Sequence, residues 1–266
     1  MVHKKSVLAL LVCLMAAAPA SAIIIRHDRS AADYRVRESE FPAVFFLEQL
    51  GRRKVCVATL IDPRWAITAA HCLEQTSLAA RLGSGELFPV QLAGVMRHIE
   101  ATVVHPKYPR PEEGADVDLA LLRFSEPLPY PRPVSLYRES DELDTVVTLL
   151  GWGFSGIGTS GRQFDDGNFR RAQNRITAVD HQLVFRFDDP REPATAALSL
   201  EGMPGLGDSG GPALWLDSDE PRLMGVAVGE WMGENFDEDT QGSYGALAVY
   251  ERISLHLDWI DRVTRR

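Results

Sequence analysis

Short apolar runs recur along this chain and are broken by turn-forming Gly, Pro, Asn and Asp far more often than they extend into helical periods. Val44 to Leu47, Val55 to Ile61, Trp65 to Ala69, Leu119 to Phe124, Val146 to Leu150, Leu183 to Phe187, Leu223 to Val228 and Gly245 to Tyr250 are each predicted to be strands. No strand–helix–strand alternation of the kind that builds a parallel sheet is visible, and no repeat emerges, so the expected class is all-β. One helix is predicted, at the C-terminal end. There Ile253, Leu257 and Ile260 recur at helical spacing, and Arg262, Arg265 and Arg266 sit near the negative end of the helix dipole.

The Pro-rich stretch Pro127 to Pro133 and the polar run Tyr137 to Asp144 predict a connector between two halves, 23–134 and 135–266. Each half would hold about six strands, enough for a small antiparallel barrel. Gly151 to Gly161 and Phe187 to Pro204 are expected to be long surface loops, where functional groups gather.

The first residues stand apart from this pattern. His3, Lys4 and Lys5 make a basic start, Val7 to Ala18 is an uncharged apolar run, and Ala20-Ser21-Ala22 fits a small-x-small cleavage site. About a dozen apolar residues are too few to cross roughly 30 Å of hydrocarbon. Residues 1–22 therefore read as a signal peptide rather than a membrane anchor. Its removal would leave Ile23 first in a secreted or periplasmic protein.

Composition narrows the function classes. With 45% hydrophobic residues the chain has material for a core, which excludes disorder over most of its length. A net charge of -9, from 28 basic and 37 acidic residues, argues against a nucleic-acid partner. Of three cysteines, Cys13 falls in the leader. Cys56 and Cys72 form an even pair in a chain bound for an oxidising compartment, so a disulfide is the first reading and two free thiols the other. Such a link would stabilise the fold by about 3 kcal/mol.

Three local patterns carry candidate chemistry: Thr68-Ala69-Ala70-His71-Cys72, Asp118-Leu119-Ala120-Leu121-Leu122 and Gly207-Asp208-Ser209-Gly210-Gly211-Pro212. Taken singly, His71 reads as a structural histidine and Asp118 as a turn cap. The serine among glycines is less ordinary, because glycines permit a tight turn that aims several N–H groups at one point. Together they supply a nucleophile, a base and a carboxylate to orient the base.

With these motifs the chain resembles the trypsin-like (chymotrypsin-fold) serine proteases along essentially its whole mature length. Phe41-Pro42, Val104-His105-Pro106 with Tyr108, Gly151-Trp152-Gly153, Val249-Tyr250 and Trp259-Ile260 support the likeness. The resemblance implies two six-stranded barrels with a C-terminal helix and an endopeptidase that needs no cofactor. Ser209 would be the nucleophile, His71 the base and Asp118 its orienting partner, in preference to Asp116. The N–H groups of Gly207 and Ser209 would form the oxyanion hole. Asp208 would pair with the ammonium of Ile23. No Arg or Lys precedes Ile23, and Ile25-Arg26 stands where two glycines are usual. Signal peptidase itself would then expose the terminus.

By the same likeness Met203 is expected at the base of the primary specificity pocket, where trypsin-type members carry an aspartate. Val228, Gly229 and Glu230 would face the substrate backbone, and Ala248 would replace a common glycine of the wall. An apolar residue before the cut follows, unless Glu230 draws a basic one from the pocket mouth instead of facing solvent. Polypeptide substrates and proteinaceous inhibitors are the expected partners of a monomer that binds neither nucleic acid nor membrane.

Two rival readings remain in view. Gly207 to Gly211 also fits the serine elbow of α/β-hydrolases with His256 downstream, but Pro212 obstructs the helix that an elbow requires. A binding protein on an inactive protease scaffold is the other. His98 and His105 lack companions at metal-ligand spacing. Asp237-Glu238-Asp239 reads as a solvated loop rather than a calcium site. No metal is expected.

Overall fold

The computed structural model describes residues 23–109, 116–217, 220–231 and 241–265. The expected leader, 1–22, and the acidic run at 237–239 lie outside them. After a short strand β1 (Ile23–Ile25), the chain forms β2 (Val44–Leu50), β3 (Arg53–Asp62) and β4 (Trp65–Thr68). Two short helices follow, α1 (Cys72–Gln75) and α2 (Leu78–Gly83), and then β5 (Phe88–Leu92), β6 (Val95–Val104) and β7 (Ala120–Phe124). These six strands pair antiparallel in the order β2-β3-β4-β7-β6-β5. The edges of β2 and β5 come together without a hydrogen-bonded ladder, so the first barrel is nearly closed.

The second half contains β8 (Ser135–Leu136), β9 (Val146–Gly151), β10 (Ser155–Ile157), β11 (Gly161–Phe164), β12 (Arg170–Val179) and β13 (Gln182–Arg186). It continues with β14 (Gly202–Met203), β15 (Pro212–Trp215), β16 (Arg222–Glu230), β17 (Leu247–Arg252) and the helix α3 (Leu257–Thr264). The order β15-β9-β12-β13-β17-β16 is closed by pairing of β15 with β16. The all-β, two-barrel expectation with a C-terminal helix is borne out. Because Pro212 opens a strand and not a helix, the serine elbow of an α/β-hydrolase is absent.

Several details differ from the hydrophobic pattern. The stretch from Gly151 to Gly161, expected as a loop, carries β10, which with β11, β14 and β1 forms a small four-stranded sheet. Its pairing is supplied by β1: Ile24 lies opposite Gly156 and Met203. Two helices, α1 and α2, stand where none was expected. The C-terminal helix starts four residues late, since Ile253–Leu255 form a 3₁₀ turn, and it buries Trp259 and Ile260.

The two barrels share apolar packing. One core cluster runs from Phe45, Leu60 and Ile67 of the first barrel through Leu150, Leu214 and Val226 of the second. Trp152 lies between them, stacked on Phe169 at 3.9 Å and edge-on to Phe46 at 5.7 Å. That contact fixes the cleft on which the functional side chains converge.

Candidate active site

Strand β4 is buried throughout and ends in Thr68, whose hydroxyl donates to the Val57 carbonyl at 2.7 Å. Ala69 and Ala70 follow, both buried, before the chain turns out at His71 and enters α1. The turn is held by Cys72 N–H to the Ala69 carbonyl and Leu73 N–H to the Ala70 carbonyl. A Cys56–Cys72 disulfide, with Cα atoms 5.8 Å apart, ties it to β3.

Asp118 meets this turn from the loop before β7. Its Oδ1 accepts the His71 backbone N–H at 2.9 Å and its Oδ2 faces His71 Nδ1 at 2.5 Å. A carboxylate at Nδ1 selects the tautomer with its proton there, which leaves Nε2 as the basic nitrogen. Asp116 is exposed and does not make these contacts.

Ser209 sits on a loop stitched to both barrels. Cys56 N–H donates to the Gly207 carbonyl at 3.0 Å and Val57 N–H to the Ser209 carbonyl at 2.8 Å, both from β3. Gly210 N–H donates to the Ala227 carbonyl of β16 at 2.7 Å. Gly207 and Gly210 adopt φ of 99° and 79°, which a side chain would resist. Among the described residues, the N–H groups of Gly207 and Ser209 have no protein acceptor. Ser209 and His71 line one cleft of about 260 Å³, but no hydrogen bond joins their side chains. Such contacts often tighten only when substrate is bound.

Beside the serine, Asp208 is fully buried. Its Oδ1 accepts Gly153 N–H at 2.6 Å and its Oδ2 accepts Gly205 N–H at 2.9 Å. Burial, resisted by those two donors, pushes its pKa up to about 7. The Gly-Trp-Gly sequence is a steric requirement of this arrangement. A Cβ on Gly151 would lie 1.9 Å from Asp208 Oδ1, and one on Gly153 would lie 2.7 Å from the Asp208 nitrogen.

Ile23 is buried in β1, with its carbonyl accepting the Ser155 hydroxyl at 3.0 Å. No hydrogen bond or ion pair joins Ile23 to Asp208 among the described residues.

The expected pocket residues divide into two groups. Val228, Gly229 and Glu230 line the cleft with Ser209 and His71. Met203 and Ala248 are buried in the second-barrel core with Tyr250 and Ala227. Ile24, which the sequence reading left out of the pocket, lines the cleft instead. Alternation along β1 explains this: Ile23 and Ile25 pack with Tyr34 and Ala172, while Ile24 faces the opposite way onto the second-barrel core. Glu230 is half-buried, and its carboxylate accepts the Gly242 N–H, at 3.1 Å to the nearer oxygen. Burial raises its pKa against the pull of Arg162, another residue of the cleft.

The remaining histidine candidates lie away from the cleft. His105 is buried edge-on to Trp259 at 4.8 Å and to His256 at 4.9 Å, and His98 lies in β6 opposite Pro89. Cys56, His71 and Cys72 place possible ligand atoms together, but both sulfurs are spent in the disulfide. No described helix is long and apolar enough to cross a membrane.

Comparison with known proteins agrees with this geometry. A family model described as Trypsin matches residues 33–260. Granzyme M of Homo sapiens is 32% identical over 225 residues, covering 80% of each chain. The suppressor of tumorigenicity 14 protein homolog of Bos taurus is 27% identical over 250 residues, which is 88% of this chain but only 28% of that larger protein. Among solved structures, mouse neuropsin, described as a serine protease, has the same fold. Its TM-score is 0.61 at 19% identity, over 87% of this chain and 98% of its own. A family match over most of the length, joined to a relative so similar across four-fifths of both chains, establishes that this chain belongs to the trypsin-like, chymotrypsin-fold family of serine proteases.

Proposed function

We propose that the chain is an exported serine endopeptidase that cleaves polypeptides through an acyl-enzyme on Ser209. The observation that carries this reading is that His71, held through its Nδ1 and backbone N–H by Asp118, shares one cleft with Ser209. Ser209 Oγ attacks the substrate carbonyl carbon while His71 Nε2 takes its proton. The tetrahedral intermediate then collapses, the C–N bond breaks, and the imidazolium returns the proton to the leaving amine. Water, activated by the same imidazole, releases the acid and restores the serine. The unengaged N–H groups of Gly207 and Ser209 point to the oxyanion hole, a contribution of about 3 kcal/mol per donor.

The leader pattern at 1–22 and the Cys56–Cys72 disulfide support export to an oxidising compartment with Ile23 first. A free Ile23 ammonium would give buried Asp208 an ion-pair partner, where among the described residues its carboxylate is held by the Gly153 and Gly205 N–H groups. In the cleft, Ile24, Ala227 and Val228 favour a small or medium apolar side chain before the cut, while Met203 packs with Ile24 and Ala227 in the second-barrel core. Glu230 already accepts the Gly242 N–H, which weakens its claim on a basic substrate side chain.

Covalent labelling by a fluorophosphonate tests the reading. Correctly processed protein should be labelled at Ser209, the label should vanish in Ser209→Ala, and a peptide library should be cut after apolar residues. Absence of both labelling and cleavage would favour a binding protein on the same scaffold.

A further inference from the structure

Behind the Asp118–His71 pair lies a second carboxylate that the hydrolytic steps do not use. Glu251 belongs to β17, opposite Gln182 of β13 and Val226 of β16, and is 1% exposed. Its Oε1 accepts two hydrogen bonds, from the Asp118 backbone N–H at 3.2 Å and from Gln182 Nε2 at 3.0 Å. A carboxylate in such a place costs several kcal/mol unless donors compensate it. Among the described residues the acceptor of the Asp118 N–H is Glu251 of the second barrel, while the neighbouring Leu119 N–H turns back locally to the Val117 carbonyl. The segment bearing Asp118 leads into the first barrel, while β17 belongs to the second.

We propose that Glu251 is a positioning residue for catalysis: it anchors the Asp118 peptide across the barrel interface, so that both carboxylate oxygens of Asp118 stay aimed at His71. This rests on the triad reading given above.

The surroundings indicate that reach, not charge, is what Glu251 supplies. The nearest basic group is His256, whose Nε2 lies 3.8 Å from Glu251 Oε2, too far for a hydrogen bond. His256 is itself pushed down to about 4 by burial and by His105 and Lys107, so it is neutral where a protease of this class works. His105, behind it, is likewise pushed down to about 4 by burial, with Lys107 adding to the effect. His181, beside Gln182 in sequence, acts on Glu251 only weakly. Among the described residues, Asp118 is the carboxylate that opposes the charge on Glu251. Among the described residues, what holds this group is hydrogen bonds from a backbone N–H and an amide rather than an ion pair.

Two substitutions separate reach from charge. Glu251→Gln keeps the length and an acceptor oxygen but removes the charge. Glu251→Asp keeps the charge but draws the acceptor back by one methylene. Rates per fluorophosphonate-titrated site, on a peptide substrate, remove any contribution from unfolded protein. The expected result is Glu251→Gln within about threefold of the parent in kcat. Glu251→Asp should be slower by about tenfold to a hundredfold, with KM nearly unchanged. A Glu251→Gln enzyme that loses its kcat, or a Glu251→Asp enzyme that keeps it, overturns the proposal; so does a fall of kcat matched by an equal rise of KM. Ser209→Ala is the separate control. Full activity there would sink the triad itself, whereas an inactive Ser209→Ala beside an unimpaired Glu251→Asp would sink only the role of Glu251.

Discussion

Two carboxylates beside the nucleophile do opposite work. Asp118 is partly exposed and spends both oxygens on His71, so Asp118→Asn, which presents an amide where Nδ1–H needs an acceptor, should lower kcat by about 10⁴ while substrate binding survives. Asp208 is fully buried, and burial raises its pKa to about 7 against the Gly205 and Gly153 N–H groups and the charge of Arg170. Its folded pKa therefore exceeds its unfolded one, so its stabilising contribution is complete below about 4 and is lost as pH rises through about 7. The loss is on the order of 4 kcal/mol. Urea unfolding of Ser209→Ala against Ser209→Ala/Asp208→Asn, both made with residues before Ile23 retained, isolates it, and a stability difference independent of pH would refute it. In protein that starts at Ile23, an ammonium paired with Asp208 should remove most of that slope.

At the scale of elements, the serine loop is held by backbone hydrogen bonds in a space with no room for a side chain. A Cβ on Gly210 would lie 2.1 Å from the Val57 carbonyl oxygen and 2.2 Å from Thr68 Oγ1, at a positive φ of 79°. Gly210→Ala should therefore cost more than about 2 kcal/mol and abolish labelling of Ser209, since either the loop or the end of β4 must move. The disulfide acts on the neighbouring turn. Replacing Cys56 and Cys72 together by Ala should lower stability by about 3 kcal/mol, read as a shift of the urea midpoint.

For the whole molecule, the shared cluster makes the barrels one cooperative unit. Trp152 packs against Phe46 of the first barrel and Phe169 of the second half, and β3 donates to the serine loop. Calorimetry of Ser209→Ala should show one unfolding transition; two well-separated transitions would mean that the interface contributes little. The bovine relative shows that sequences of this family also occur within much larger proteins, of which this chain matches 28%.

The eight apolar runs read from sequence coincide with strands because each alternates or buries cleanly on a sheet. The strands that escaped notice have physical reasons for doing so. β12 turns Arg170 and Asn174 inward, where Asp166 and the Gly202 carbonyl satisfy them, so its alternation is not one of polarity. β1, β10 and β14 are too short for a period to emerge, and β1 exists as a strand only because it is paired between the other two. The same division holds at the site. His71, Asp118 and Ser209 stand out in the linear sequence because their chemistry demands particular residue types within local motifs. Ile24 and Glu251 do not, because a cleft wall and an inter-barrel anchor are defined by which distant segments meet. Local sequence determined the strands, the turns and the reactive groups. Only the docking of the barrels decided what lines the cleft and what holds Asp118, because those contacts join residues far apart along the chain, whose burial no local pattern encodes.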